Sequence, residues 1–562
     1  MEKIWLKNYP AGIPDTINPD SMPSIGAVFN KTVSEYPKNP AVSNMGTVLS
    51  YEELDRRATC FAAYLQQKLG VKKGACLAIM MPNLIQYLVA IYGAFKAGMT
   101  ITNVNPLYTP RELVRQLNDS KAEAIVVLSN FASTVEKALP KLNLKHIFVT
   151  DIGDSFPRAK AALVNFIVKR VKKMVPAFEL PSPINFLTAL KEGSNLNLAP
   201  VQLEGGDAAF LQYTGGTTGV SKGAILTHRN MVANMEQAYA WMKPFIEHGK
   251  EKMVTALPLY HIFSLLANCF VFMKAASENI LITNPRDIGG FIKELQRVKF
   301  TSMTGVNTLF NALTNHKNFA KVDFSHFKVV LGGGMAVRKA VADKWQEITG
   351  IPITEAYGLT ETSPAVTINP LTIKKYTGSI GLPVPSTDIK IIDEEDNELP
   401  LGESGELCVK GPQVMKGYLD MPEETAMVLS EDGWLKTGDM ARVDEEGYVY
   451  IVDRKKDMVD ISGFNVYPNE VEEVLMQHPD VNEAAVIGVS HSITGEKLKA
   501  FVTTVDNKEI SPKELIAFCR QHLTAYKVPK IFEFCEDLPK SNVGKILRRE
   551  LRDEEAKKSS SE

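Results

Sequence analysis

Short apolar runs alternate with stretches of helical period through most of the chain. Ala75–Met81 reads as a buried strand, and Asn83 stands where it could cap a helix running to Gly98. Ala124–Leu128, Ile147–Thr150 and Lys328–Leu331 are further strand-like runs, the last leading into a glycine cluster. This alternation predicts α/β layers with parallel strands, which need helices as crossovers. The pattern changes near residue 385. Asp388–Asp393, Gly405–Lys410 and Gly447–Val452 are short strands broken by Gly, Pro, Asp and Asn. The charged run Asp453–Asp457 follows, and beyond it the chain is mixed α and β. The expected architecture is α/β. A large N-terminal domain of several subdomains spans 1–453, with its β-rich section at about 385–453, and a smaller α+β C-terminal domain spans 454–562. The polar tail Glu554–Glu562 is expected to be disordered.

Two long stretches lack charge, Gly74–Phe95 and Val254–Met273. Each contains Pro and Asn, and each reads as strand, turn and buried helix rather than a membrane span. Met1–Pro14 has no apolar core segment and is not expected to be a signal peptide. A chain of 562 residues exceeds one ordinary core, and 45% hydrophobic with 23% charged residues excludes disorder. The net charge of −2 offers no basic excess, so no nucleic-acid partner is expected. None of the six cysteines forms a C-x-x-C pair, which disfavours a zinc knuckle or a redox dithiol and suits a reducing cytoplasm. Arg158–Val175 interleaves six basic residues with Leu163, Val164, Phe166, Ile167, Val168 and Val171. It can lie on an anionic membrane surface, or it is a solvated helix packing one face on the core.

The strongest chemical signal is Tyr213, Thr214, Gly215, Gly216, Thr217, Thr218, Gly219, Val220, Ser221, Lys222 and Gly223. The glycines let backbone N–H groups approach an anion, the hydroxyls add donors, and Lys222 adds charge. Such a loop suits the β- and γ-phosphates of a nucleotide. It is not a Walker A loop, because Ser221 precedes Lys222 and Gly223 follows it. Gly219–Gly223 also matches G-x-S-x-G, so a serine hydrolase with Ser221 as nucleophile is a rival. No clear strand leads directly into Ser221, which counts against it.

Three further motifs follow in order. Glu355, Ala356, Tyr357, Gly358, Leu359, Thr360 and Glu361 combine an aromatic face, a hydroxyl and a carboxylate. Asp432–Asp439 runs on to Asp453-Arg454-Lys455-Lys456, and Pro539–Arg548 carries Lys545. Taken alone, that last stretch reads as a helix with a solvated basic end of Lys545, Arg548, Arg549 and Arg552.

Together these motifs resemble the adenylate-forming superfamily over nearly the whole chain, and within it most resemble bacterial long-chain fatty acid–CoA ligases. The resemblance implies that Tyr357 stacks on adenine, Thr360 contacts the α-phosphate and Glu361 holds Mg²⁺. It implies that Asp439 accepts from the ribose hydroxyls, Arg454 helps hold the nucleotide and Lys545 is the adenylation lysine. Asp453 would be the hinge of a mobile C-terminal domain, with Gly463 near the pantetheine path of CoA. Gly332, Gly333 and Gly334 would line the adenine and acyl sites, and His261 would stand beside the acyl pocket as a positioning or gating group. Departures at Lys436, Val443, Glu445 and Tyr450 blur the inference of chain length but touch no proposed chemistry.

The implied reaction joins a long-chain fatty acid to CoA through an acyl-adenylate, consuming ATP and releasing AMP and diphosphate. It would support fatty acid uptake and β-oxidation, from the cytoplasm and the inner face of the membrane, in a possible homodimer. A nonribosomal adenylation domain would be followed by a carrier, for which the 17 residues after Lys545 leave no room. A luciferase and a non-enzymatic nucleotide sensor are the remaining alternatives.

Overall fold

The computed structural model describes residues 2–214, 221–461, 464–491, 495–505, 508–541 and 544–560. The chain packs into two compact units. One comprises Trp5–Asp388 with Val409–Leu435, the other Met1–Ile4 with Ile389–Cys408 and Lys436–Glu562. This division is one of packing; a functional boundary at Asp453 is a matter of mechanism.

The larger unit holds two sheets. In the first, strands run in the order Ile184–Asn185, His146–Thr150, Ala122–Leu128, Cys76–Met80, Thr100–Asn103, Ala208–Thr214 and Lys222–Thr227. All neighbours are parallel except the last, which closes an antiparallel hairpin on Ala208–Thr214. The second sheet runs Leu382–Pro383, Ala365–Ile368, Thr354–Gly358, Val329–Gly332, Ser302–Gly305, Lys252–Thr255, Glu278–Leu281, Pro40–Asn44 and Thr47–Ser50. Its middle, from Thr354–Gly358 to Pro40–Asn44, is parallel. The α/β class with parallel strands is therefore observed, and the strand Cys76–Met80 is buried throughout, as its unbroken apolar run requires.

Asn83 does not cap the helix that follows. That helix, Ile85–Lys96, begins after Leu84 without a side-chain cap. The Asn83 amide instead donates to the carbonyls of Thr255 at 3.0 Å and Leu257 at 2.9 Å, and accepts from the Leu259 N–H at 2.8 Å. Those backbone groups leave the second sheet inside the core, where an unmet hydrogen bond costs more than a missing cap.

Arg158–Phe166 is a helix continued by a π-helical turn, Ile167–Val171. None of its residues is buried, so it packs no full face on the core. Leu163, Phe166 and Val171 are 60%, 58% and 64% exposed. Among the described residues no helix is long and apolar enough to cross a membrane. All six cysteines are free, and five are buried.

The smaller unit holds a four-stranded sheet of Asp388–Ile392, Gly405–Lys410, Leu435–Val443 and Val449–Arg454, in that order. It also holds a second sheet in which Gly495–Thr504 pairs with Val481–His491 and Ile531–Phe534. The helices Pro468–Leu475 and Pro512–His522 supply Val471, Leu475 and Leu515 to its core. Of the tail expected to be disordered, residues 554–560 belong to a helix, Arg548–Ser560, and residues 561–562 lie outside the described residues. Leu551 buries in a small apolar cluster, and Glu555 pairs with Lys499 at 2.7 Å, which ties down an otherwise polar segment.

Candidate active site

The candidate residues of the larger unit gather where parallel strands end, the usual place for a site in an α/β sheet. The strand Val329–Gly332 pairs with Thr354–Gly358 through Gly332 and Glu355, and Gly333 and Gly334 continue past its end. A Cβ on Gly333 would stand 3.1 Å from the Ala356 carbonyl and 3.1 Å from the Phe263 ring, so this crossing suits glycine. Phe263 belongs to a short helix capped by His261, whose Nδ1 accepts from the Phe263 N–H at 3.4 Å.

Glu355 points its carboxyl into the core, where it is 7% exposed and accepts from the Val337 N–H at 3.1 Å. Burial pushes its pKa up to about 7. It thus braces the loop after Gly334. Ala356 and Tyr357 pair with Ile368 and Thr367, and Tyr357 is half-buried. Gly358 lies against the next strand, where a Cβ would meet the Pro364 carbonyl oxygen at 2.0 Å. Thr360 and Glu361 follow on a single helical turn, both half-buried.

The phosphate-loop motif joins two strands. Tyr213 and Thr214 end the first strand, Lys222 and Gly223 begin the second, and Thr214 faces Lys222 across the ladder. Gly215, Gly216, Thr217, Thr218, Gly219 and Val220 lie outside the described residues. Ser221 donates to the Thr214 carbonyl at 2.6 Å and closes the hairpin. A strand does lead into this loop, but a strand also follows it. A nucleophile elbow needs a strand-to-helix turn and an exposed serine, so the hydrolase reading fails on geometry.

Two residues without a sequence signal organise this region. Lys222 forms an ion pair with Glu424 and lies 5.1 Å from the centre of the Tyr418 ring. The Tyr418 hydroxyl donates to Glu361 at 2.8 Å. The Met415 N–H donates to the Glu361 carbonyl at 2.8 Å, and the Leu419 N–H to that of Gly223 at 2.8 Å. Segment 415–419 therefore stitches the loop's lysine to the carboxylate of the second motif. Tyr213 is tied in the same way, by its hydroxyl to Asp119. Burial and then Asp119 hold that phenol far above its ordinary range.

In the smaller unit, Asp439 and Arg454 face each other across an antiparallel pair, with Arg454 Nε 3.2 Å from Asp439 Oδ1. Asp439 is only 5% exposed. Lys545 is half-buried in the field of Arg454, Asp439, Lys456 and Asp457. Burial first and Arg454 second pull its pKa down to about 7. Asp453 is fully buried and accepts from the N–H groups of Arg454 and Asn469, both at 2.7 Å. Gly463 lies outside the described residues.

A fold of parallel sheets with these motifs defines a nucleotide-using enzyme, and the comparisons say which. The chain belongs to the AMP-binding enzyme family: that family's model matches residues 29–419, and the model of the AMP-binding enzyme C-terminal domain matches residues 470–545. The chain is 55% identical to the long-chain-fatty-acid–CoA ligase of Escherichia coli O6:H1 over 554 residues, 99% of this chain and 98% of that protein. It is 55% identical to the Yersinia pestis enzyme of the same name over 557 residues, 99% of each chain. The solved structure of ATP-bound MatB from Rhodopseudomonas palustris superimposes with a TM-score of 0.79 at 28% identity, covering 95% of this chain and 99% of that one.

Proposed function

We propose that the protein is an AMP-forming ligase that joins a long-chain fatty acid to CoA. The observation that carries the chemistry is Lys545. Its ammonium lies in the field of Arg454, Asp439 and Lys456, a concentration of cations suited to a phosphate and a carboxylate brought together. The long chain rests on the names of the relatives that match nearly end to end.

In the first half-reaction a carboxylate oxygen of the acid attacks the α-phosphorus of ATP, and diphosphate leaves. Lys545 and Thr360 stabilise the charge that builds at phosphorus. Lys222 and the N–H groups of its loop hold the leaving phosphates, and Lys222 exchanges Glu424 for them. Tyr357 stacks on adenine, and Asp439 accepts from the ribose. Glu361, set by Tyr418, would be the residue that holds a Mg²⁺, since a carboxylate suits a hard cation. That ion would draw charge from the leaving diphosphate. In the second half-reaction the CoA thiol attacks the acyl carbonyl, and AMP leaves. The C-terminal domain turns about Asp453 between the two steps, bringing Gly463 to the pantetheine. His261 and the Gly332–Gly334 crossing border the acid. The product would feed fatty acid degradation or phospholipid synthesis.

The test is CoA-dependent AMP release from ATP across saturated acids from acetate to stearate. A maximum at about twelve to eighteen carbons, dependent on Mg²⁺, is expected of a deep apolar pocket. A maximum at short or aromatic acids would overturn the substrate, and no AMP with any acid would overturn the ligase.

We also propose peripheral contact with an anionic bilayer through residues 158–175. Leu163, Phe166, Val171 and Met174 lie exposed beside Arg170, Lys172 and Lys173. Replacing Leu163 and Phe166 by Ser should reduce co-flotation with phosphatidylglycerol vesicles at least fivefold and spare AMP release from soluble substrate. Unchanged flotation would overturn the contact.

A further inference from the structure

Arg548 closes the lysine-bearing motif, and none of the chemistry above uses it. It is not part of a solvated basic end: its side chain is 12% exposed, whereas that of Arg549 is 54% exposed. Its five N–H groups all face acceptors. Nε and Nη2 fork onto Glu472 at 2.8 and 2.7 Å. Nη1 is shared between Asp453 at 3.3 Å and Asp457 at 3.2 Å, and Nη2 also reaches the Asn469 side chain. Burial disfavours the charge, but Glu472, Asp453 and Asp457 more than offset it, so the guanidinium stays charged. Glu472 in turn accepts from the Val486 N–H at 2.7 Å. One side chain therefore joins the strand end at Asp453, the turn at Asp457, the helix Pro468–Leu475 and the strand Val481–His491.

The described backbone on either side of Lys545 is joined by hydrogen bonds. The Ser541 N–H donates to the Lys545 carbonyl at 2.7 Å, the Lys545 N–H to Ser541 Oγ at 3.1 Å, and the Leu547 N–H to the Pro539 carbonyl at 2.8 Å. At its near end Lys540 pairs with Glu483 and Asp537, each at 2.7 Å. At its far end stands Arg548. Residues 542 and 543 lie outside the described residues; on the described backbone Leu547 is bonded to Pro539 and Lys545 to Ser541, so the backbone that bears Lys545 is held directly next to Arg548.

We propose that Arg548 is a positioning residue for adenylation, tying the lysine-bearing loop to the carboxylate of Asp453 so that hinge and lysine form one rigid piece. The inference rests on the assignment of Lys545 to the first half-reaction. Arg548→Lys in the full chain keeps the charge but loses the planar fork. ATP–diphosphate exchange at saturating ATP should fall at least tenfold, with KM for ATP within twofold. Thioester formation from preformed acyl-adenylate should stay within threefold. Asn469→Ala withdraws one neutral acceptor and guards against a misfolded variant; it should lower the same half-reaction two- to fivefold. A purely structural role would lower both half-reactions together, and that result, or no loss in either variant, overturns the inference. If Lys545→Ala itself impairs both half-reactions equally, the assignment of Lys545 is what fails.

Discussion

Lys545 is subject to two opposed demands. The proposed adenylation step needs its positive charge, yet burial and then Arg454 lower its pKa to about 7. The ammonium is therefore present below about pH 7 and lost as pH rises through that value. For the free enzyme, kcat/KM for adenylate formation should fall about tenfold per pH unit above that point, as read by diphosphate exchange at low ATP. The residual activity of Lys545→Arg should show no such decline between pH 7 and 9, because a guanidinium does not titrate there. A flat wild-type profile would remove the titrating lysine from the step. The chain itself revealed Lys545 only through its motif, since a run of Lys545, Arg548, Arg549 and Arg552 has the look of a solvated helix end. The carboxylates that bury Arg548 come from Asp453, Asp457 and Glu472, far away in sequence. Tyr418 and Glu424 were missed for the same reason: a tyrosine bridged to Ala224 and a glutamate in the first turn of the short helix Pro422–Val428 acquire meaning only beside Glu361 and Lys222.

At the scale of elements, Gly358 bears the tightest demand in the second motif. Its Cβ position is occupied by the backbone of Pro364, which cannot yield as a flexible side chain would. Gly358→Ala should destabilise the protein by about 1–3 kcal/mol, the usual cost of overpacking. It should also raise KM for ATP several-fold by shifting Tyr357 and Thr360, whereas Gly206→Ala, with open space around it, should do neither. Thermal unfolding and steady-state kinetics read the two effects. Cys76–Met80 was legible as a strand because it is short and apolar, and Gly405–Lys410 because it is short and set between turn residues. Asn83 and the tail were not. A cap and a cross-sheet clamp have the same sequence, and a polar helix is stable only when partners such as Lys499 meet it.

For the whole molecule the two half-reactions are expected to be separable. Lys545→Ala should abolish adenylate formation, at least a hundredfold by diphosphate exchange, and spare thioester formation from preformed acyl-adenylate within about threefold. Equal loss in both would mean that one arrangement serves both steps. The motifs, their order and the alternation of apolar runs suffice for the α/β class and for the kind of nucleotide chemistry. Those features are local: a phosphate needs glycines and hydroxyls close together in the chain, and a buried strand needs an unbroken apolar run. Only the tertiary structure decided that the phosphate loop closes a hairpin, which excludes the serine nucleophile. It alone put Tyr418 on Glu361 and sank Arg548 among three carboxylates. Hydrogen bonds and charge pairs between distant segments leave no period and no spacing in the sequence, because what selects their members is proximity created by the fold.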